Sequence, residues 1–165
     1  MIGAIVLLSA LSLNAAPAEP AKDPLQPLQF LVGHCWAGDF PNNMGKDTHC
    51  FEPMYGGRFI RDKHVLHGKG PDYLGESIYA FDPKQKRIVF WYWSSDGDIE
   101  HGIANPSAEG LEFPEHHLTE PQDLTFRTHW RRLDANRYEA VNERKDGEAW
   151  KTEWKIEYRR VPKGK

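Results

Sequence analysis

His49, Arg58, Asp62 and His64 fall within sixteen positions and have the side chains that bind or turn over small molecules. Imidazole exchanges protons near neutral pH, and a carboxylate can orient or relay them. A guanidinium grips a carboxylate through parallel hydrogen bonds. One chemistry these types support is an acid–base pair of His and Asp, with Tyr79 or Asn142 steadying developing charge, as in a cofactor-free hydrolase or isomerase. The chain contains eight histidines, which also raises metal binding. A zinc site needs three or four converging ligands. His49 and His64 supply two and Asp62 offers a third, whereas the adjacent His116 and His117 would point to opposite faces of a strand. The count falls short, and the reading carries no metal. No nucleophile elbow, glycine-rich phosphate loop or HExxH motif occurs. Ser94-Ser95 before Asp96-Gly97 reads as hairpin chemistry rather than as a nucleophile.

The elements that must position these groups are short strands. From Gly33 to Arg160 apolar and polar residues alternate in runs separated by turn residues, with no long helical pattern. Strands are expected near 34–40, 47–55, 58–66, 73–81, 87–93, 98–104, 110–114, 123–132, 137–144 and 149–159, with a longer loop around 106–122. In the last strand, Trp150, Thr152, Trp154, Ile156 and Tyr158 alternate with Lys and Glu, giving one dry face and one wet face. Ten such segments at even spacing predict an all-β closed antiparallel barrel or a sandwich. Trp91 and Trp93 share a face and are read as core.

Register can be tested by arithmetic. A two-residue turn at Gly56-Gly57 sets Tyr55 opposite Arg58, Glu52 opposite Arg61 and His49 opposite His64. The Glu52–Arg61 pair supports that register. The preceding hairpin then sets Cys35 opposite Cys50 on the outer face and Trp36 opposite His49. Trp36, Phe51, Tyr55, Ile60 and Leu66 share the interior with His49, Arg58, Asp62 and His64. The same exercise on 123–132 and 137–144 pairs Arg131 with Glu139 and Arg127 with Glu143 outside, together with His129. Phe126, Thr128, Trp130, Tyr138, Ala140 and Asn142 are then inside. The expected pocket-lining residues are Trp36, His49, Arg58, Asp62, His64, Asn142 and Trp154.

Phe30-Leu-Val-Gly33 with Trp36, then Gly56-Gly57 and Gly75-Glu76-Ser77-Ile-Tyr79, resembles the secreted bacterial proteins with a lipocalin-like (calycin) barrel, many of them domains of unknown function. Gly33-His-Cys-Trp36 has one residue more than the lipocalin Gly-x-Trp. The resemblance spans nearly the whole chain beyond the leader. It implies an up-and-down barrel of eight to ten strands, closed at one end by an N-terminal turn, and it brings no catalytic residues. Some barrels of this kind bind haem through one proximal histidine; His129 is the candidate, and its outward register argues against it.

Met1 to Ala18 is uncharged, with an apolar run from Ile2 to Leu13 followed by Ala16-Pro17-Ala18, the pattern of a secretory signal peptide. Its removal leaves about 147 residues, enough for one domain with a single core. Residues 19–26 read as a proline-rich linker, and the barrel domain is expected over 27–165. Two cysteines in an exported chain favour a Cys35–Cys50 disulfide. Net charge is −3, with charges interspersed rather than in blocks, so neither nucleic acid nor an anionic membrane is expected as a partner. The sequence therefore reads as a secreted or periplasmic small-molecule binder without a cofactor. The other readings are the His/Asp enzyme and an interaction module with a filled lumen.

Overall fold

The computed structural model of the chain describes residues 23–118 and 124–162. The leader reading of 1–18 lies outside the described residues. Ten antiparallel strands form a closed barrel: β1 (Cys35–Phe40), β2 (Gly45–Met54), β3 (Phe59–His67), β4 (Tyr73–Asp82), β5 (Arg87–Ser94), β6 (Ile99–Pro106), β7 (Gly110–Leu118), β8 (Leu124–Arg132), β9 (Arg137–Asp146) and β10 (Ala149–Val161). Each strand pairs with its sequence neighbours, and β1 pairs with β10 to complete the ring. Closure gives every strand a neighbour on both sides, which the two edge strands of an open sheet would lack. No helix among the described residues is long and apolar enough to cross a membrane.

One end of the barrel is plugged. A single 3-10 turn at Gln26–Leu28, with Pro27 in its first positions, brings Leu25, Leu28 and Leu31 against the core. The backbone then runs beside β2 through a parallel bridge of Val32 to Phe51. The buried Trp36 indole N–H donates to the Leu31 carbonyl at 3.2 Å and so ties plug to barrel wall. Leu25 is 1% exposed, so packing begins inside the segment expected as linker. Behind the plug, Phe51, Ile60, Tyr79, Trp130, Tyr138, Ile156 and Tyr158 fill this half of the lumen.

The expected registers of β1 with β2, β2 with β3 and β8 with β9 are all present. Glu52–Arg61, Arg127–Glu143 and Arg131–Glu139 are ion pairs on the outer face. Three local features depart from expectation. The β2–β3 turn takes four residues rather than two: Tyr55, Gly56 and Gly57 all have positive φ (49°, 70° and 85°). Parity therefore ends at Met54 and Phe59, and both Tyr55 and Arg58 are exposed at the plugged end. In β10 the register shifts between Thr152 and Trp154, inserting Glu153 as an extra residue. A bulge of this kind inverts the faces beyond it. Trp150 consequently lies outside, with the Arg127 guanidinium 4.5 Å over its ring, while Trp154, Ile156 and Tyr158 stay inside. In β5, Phe90 and Tyr92 point inward, so Trp91 and Trp93 are about half exposed on the outside. Both faces of that strand are aromatic, so alternation alone cannot tell them apart.

The loop expected around 106–122 is largely strand. β7 continues through Pro114 to Leu118, with a register shift between Phe113 and His116 that accommodates the proline. That shift delivers His116 to the interior, where it is buried.

Cys35 and Cys50 form a disulfide between directly opposed positions, with Cα atoms 4.1 Å apart. The bond clamps β1 to β2 at the plug and closes a loop with a sequence separation of 15. By loop-closure entropy, Cys35→Ser with Cys50→Ser should cost ~3 kcal/mol, lowering the melting temperature by roughly 10 °C. Calorimetry checks this; an unchanged melting temperature would mean that the plug is held by packing alone.

Candidate functional site

The half of the barrel away from the plug is hollow. A cavity of about 480 Å³ opens at the end where the β1–β2 and β5–β6 turns lie. Its apolar wall includes Phe40, Leu66, Phe90, Phe113, Phe126 and Trp154. Polar groups enter from two sides. One side presents His64, Tyr73, Tyr92 and Asp98; the other presents Glu100, His116, Thr128 and Asn142. Apolar walls with a few convergent polar groups are the usual composition of a small-molecule pocket.

Beneath the His64 side, toward the filled half, lies a cluster of charged groups. Asp47, His49 and Phe51 alternate along the inward face of β2, and Asp62 and His64 lie opposite on β3. Asp47 and Asp62 are 2% and 3% exposed, values at which a carboxylate must find partners. Both partner with His49: its Nε2 lies 2.9 Å from Asp47 Oδ2 and its Nδ1 lies 2.8 Å from Asp62 Oδ2. An ionised carboxylate only accepts, so both ring N–H groups donate and the ring is an imidazolium. Burial opposes that charge, but the fields and hydrogen bonds of Asp62 and Asp47 outweigh it and raise the His49 pKa well above its ordinary value. Burial also works against the Asp47 carboxylate, and His49 and His64 together hold its pKa far below the usual carboxylate range. Tyr158 on β10 donates its hydroxyl to Asp47 Oδ2 at 2.8 Å, joining a third strand to the cluster.

From the cluster a chain of hydrogen bonds leads to the cavity mouth. His64 Nδ1 faces Asp47 Oδ1 at 3.3 Å, and its Nε2 lies 3.2 Å from the Tyr92 hydroxyl. The Tyr92 and Tyr73 hydroxyls are 2.5 Å apart, and Tyr73 donates to Asp98 Oδ2 at 3.0 Å. Ser94 donates to the same oxygen at 2.8 Å. Because the Tyr73 hydroxyl donates its proton toward Asp98, Tyr73 accepts from Tyr92. Tyr92 therefore accepts from His64 Nε2–H, which fixes one proton of that ring. Gly75 makes room for it: a Cβ there would lie 1.8 Å from His64 Nε2 and 2.8 Å from the Tyr92 ring.

Across the cavity, His116 Nε2 is 3.3 Å from the Thr128 hydroxyl, and the Asn142 amide donates to that hydroxyl at 3.0 Å. His116 Nδ1 contacts the Glu100 carboxylate.

The seven expected pocket residues divide. His64, Asn142 and Trp154 border the cavity. His49 and Asp62 lie in the cluster next to His64. Trp36 is fully buried behind the plug, away from the cavity. Arg58 is exposed at the opposite end. His129 lies on the outer face between Glu112 and Glu143, so it is not placed to ligate a haem in the lumen. Asp47, Tyr73, Tyr92 and Glu100 have no counterpart among the residues expected from sequence, where His116 enters only as a weak metal candidate. Asp47 was within reach of the sequence, since it shares strand parity with His49 and Phe51. The chain matches no protein-family model and no curated protein.

Removing the cation from the cluster takes the imidazolium away from both buried carboxylates, leaving Asp47 with Tyr158 and His64 and stripping Asp62 of its hydrogen bond. His49→Leu should therefore cost roughly 3–5 kcal/mol. Adding Asp62→Asn should restore part of that loss, because the unpaired charge goes with it. Urea denaturation of both single variants and the double variant measures this; strictly additive losses would show that the three groups act independently.

Proposed function

We propose that this protein is a secreted binder of a small, partly apolar molecule, which it holds in the open half of its barrel. The observation that carries the reading is the half-filled lumen: a cavity of about 480 Å³ above a packed aromatic layer, with polar groups on two facing sides. That volume suits a ligand of modest size. Aromatic walls would take its apolar body, while His64 with Tyr92 and His116 with Asn142 would address polar groups at either edge. Export is supported by the leader-like sequence and by the disulfide, since such bonds persist in oxidising compartments. The closed antiparallel barrel with an N-terminal plug is compatible with the lipocalin-like resemblance of Phe30–Gly33, Trp36 and Gly75–Tyr79.

The alternatives are less well supported. A filled-lumen interaction module conflicts with the cavity. An acid–base enzyme built on His49, His64 and Asp62 would meet its substrate through His64 alone, because the other two do not border the cavity.

Native mass spectrometry of protein purified from its host should show a retained small molecule. Leu66→Trp, which fills the mouth, should abolish the adduct, and Arg58→Ala should leave it intact. No adduct in the wild type, or one that survives Leu66→Trp but not Arg58→Ala, would overturn the cavity as binding site. N-terminal sequencing of the secreted protein tests export separately. A mature chain that begins after Ala18 is expected, and one that begins at Met1 would refute it.

A further inference from the structure

We infer that Asp47, His49 and His64 form a binding site for a divalent transition metal ion of the zinc type, at the cavity floor. The carboxylate of Asp47, Nε2 of His49 and Nδ1 of His64 lie within 4.8 Å of one another. Two of the separations, 2.9 Å and 3.3 Å, are those of His49 Nε2 and His64 Nδ1 from Asp47 oxygens. Ligands bonded to zinc at ~2.0–2.1 Å in a tetrahedron stand ~3.3 Å apart, so the protein needs little movement to close on an ion. Two histidines and one carboxylate with an open position also make the donor set of sites that use their metal rather than merely store it.

The outer hydrogen bonds point the same way. A metal-bound histidine almost always donates its other ring N–H to a carboxylate, carbonyl or similar acceptor. Here His49 Nδ1 donates to Asp62 at 2.8 Å, leaving Nε2 as the inward atom. His64 Nε2–H donates to Tyr92, leaving Nδ1 inward. Tyr158 donates to Asp47 and orients it. Each proposed ligand thus has its own supporting partner, on β3, β5 and β10 respectively.

His49 Nε2 and His64 Nδ1 both face the Asp47 carboxylate, at 2.9 Å and 3.3 Å. A metal ion bound there would join the same three groups and release the Nε2 proton of His49, as metal binding to imidazole requires. Stacking of the two imidazoles, with centroids 4.6 Å apart, presents both nitrogens to the same carboxylate. His64 also borders the cavity, so an exchangeable ligand would reach the ion from the lumen. The site stands independently of an organic ligand in the cavity.

The test is titration of untagged, chelator-treated protein with Zn²⁺ by calorimetry and with Co²⁺ by visible absorption. One equivalent should bind, and cobalt should give the intense d–d bands of a four- or five-coordinate site. Tyr92→Phe, which removes only an outer hydrogen bond, should weaken binding ~10-fold or more. His64→Gln should weaken it further, while His129→Gln on the outer face should leave it unchanged. In the wild type, which needs no variant to fold, Zn²⁺ should shift the ¹⁵N signals of His49 Nε2 and His64 Nδ1 far more than those of their other nitrogens. Absence of stoichiometric binding, binding lost in His129→Gln but kept in His64→Gln, or shifts at the opposite nitrogens would each overturn the site.

Discussion

The barrel is organised around a buried imidazolium between two carboxylates. His49 donates to Asp47 and Asp62 at 2.9 Å and 2.8 Å, and both acids are almost fully buried. Removing such charges from water is expensive, and the cost is recovered only when geometry and partners are nearly complete. The cluster therefore constrains its surroundings. It fixes β2 against β3 in one register, because a one-residue slip would send all of these groups to the opposite face. Through Tyr158 it also reaches β10, and through His64 and Tyr92 it reaches β5.

The same cluster marks the level at which the barrel changes character. On the plug side, large rings interlock: Trp36 with Tyr138, Phe51 with Trp130, and Tyr138 stacked on Tyr158 at 4.8 Å. These contacts leave no room for a ligand, which is why Trp36 acts structurally despite its inward direction. On the other side, the lumen-facing residues of β4 and β6 include Gly75, Ser77 and Gly102, and the space they do not fill becomes the cavity. Gly75 has a double effect. It opens the wall, and it lets the His64 ring lie across it to meet Tyr92. Position and chemistry of the site thus follow from one distribution of large and small residues along alternating strands.

Much of the fold was legible in the sequence because hairpins leave local arithmetic. Glu52 with Arg61, Arg127 with Glu143 and Arg131 with Glu139 each locate a register without reference to the rest of the chain. Most departures fall where that arithmetic breaks. Arg58 lies one step past the end of its strand, beside a turn with three successive positive φ values. Trp150 turns outward because of an extra residue at Glu153 that nothing in the alternation announces. Pro114 interrupts the strand pattern before His116, and the register shift beside it restores pairing in a way only the fold reveals. Trp91 and Trp93 lie outside on a strand that is aromatic on both faces, where alternation has no sign to read. The cavity's polar groups meet across consecutive strands: Glu100 on β6 meets His116 on β7, and Tyr73 on β4 meets Tyr92 on β5 and Asp98 just beyond it. The β6–β7 contact depends on the register shift beside Pro114, so alternation along β7 does not announce it.

The ionic cluster exists only if one ring, that of His49, carries a positive charge. ¹⁵N and ¹H NMR of the imidazole signals of metal-free protein at neutral pH reads that state without altering the molecule. The structure predicts that both His49 nitrogens carry protons, each N–H slowed in exchange with water and coupled to a carboxylate oxygen. A His49 ring with a single proton in rapid exchange would contradict it, removing the ionic cluster and with it the reason for the register, the filled half and the cavity floor.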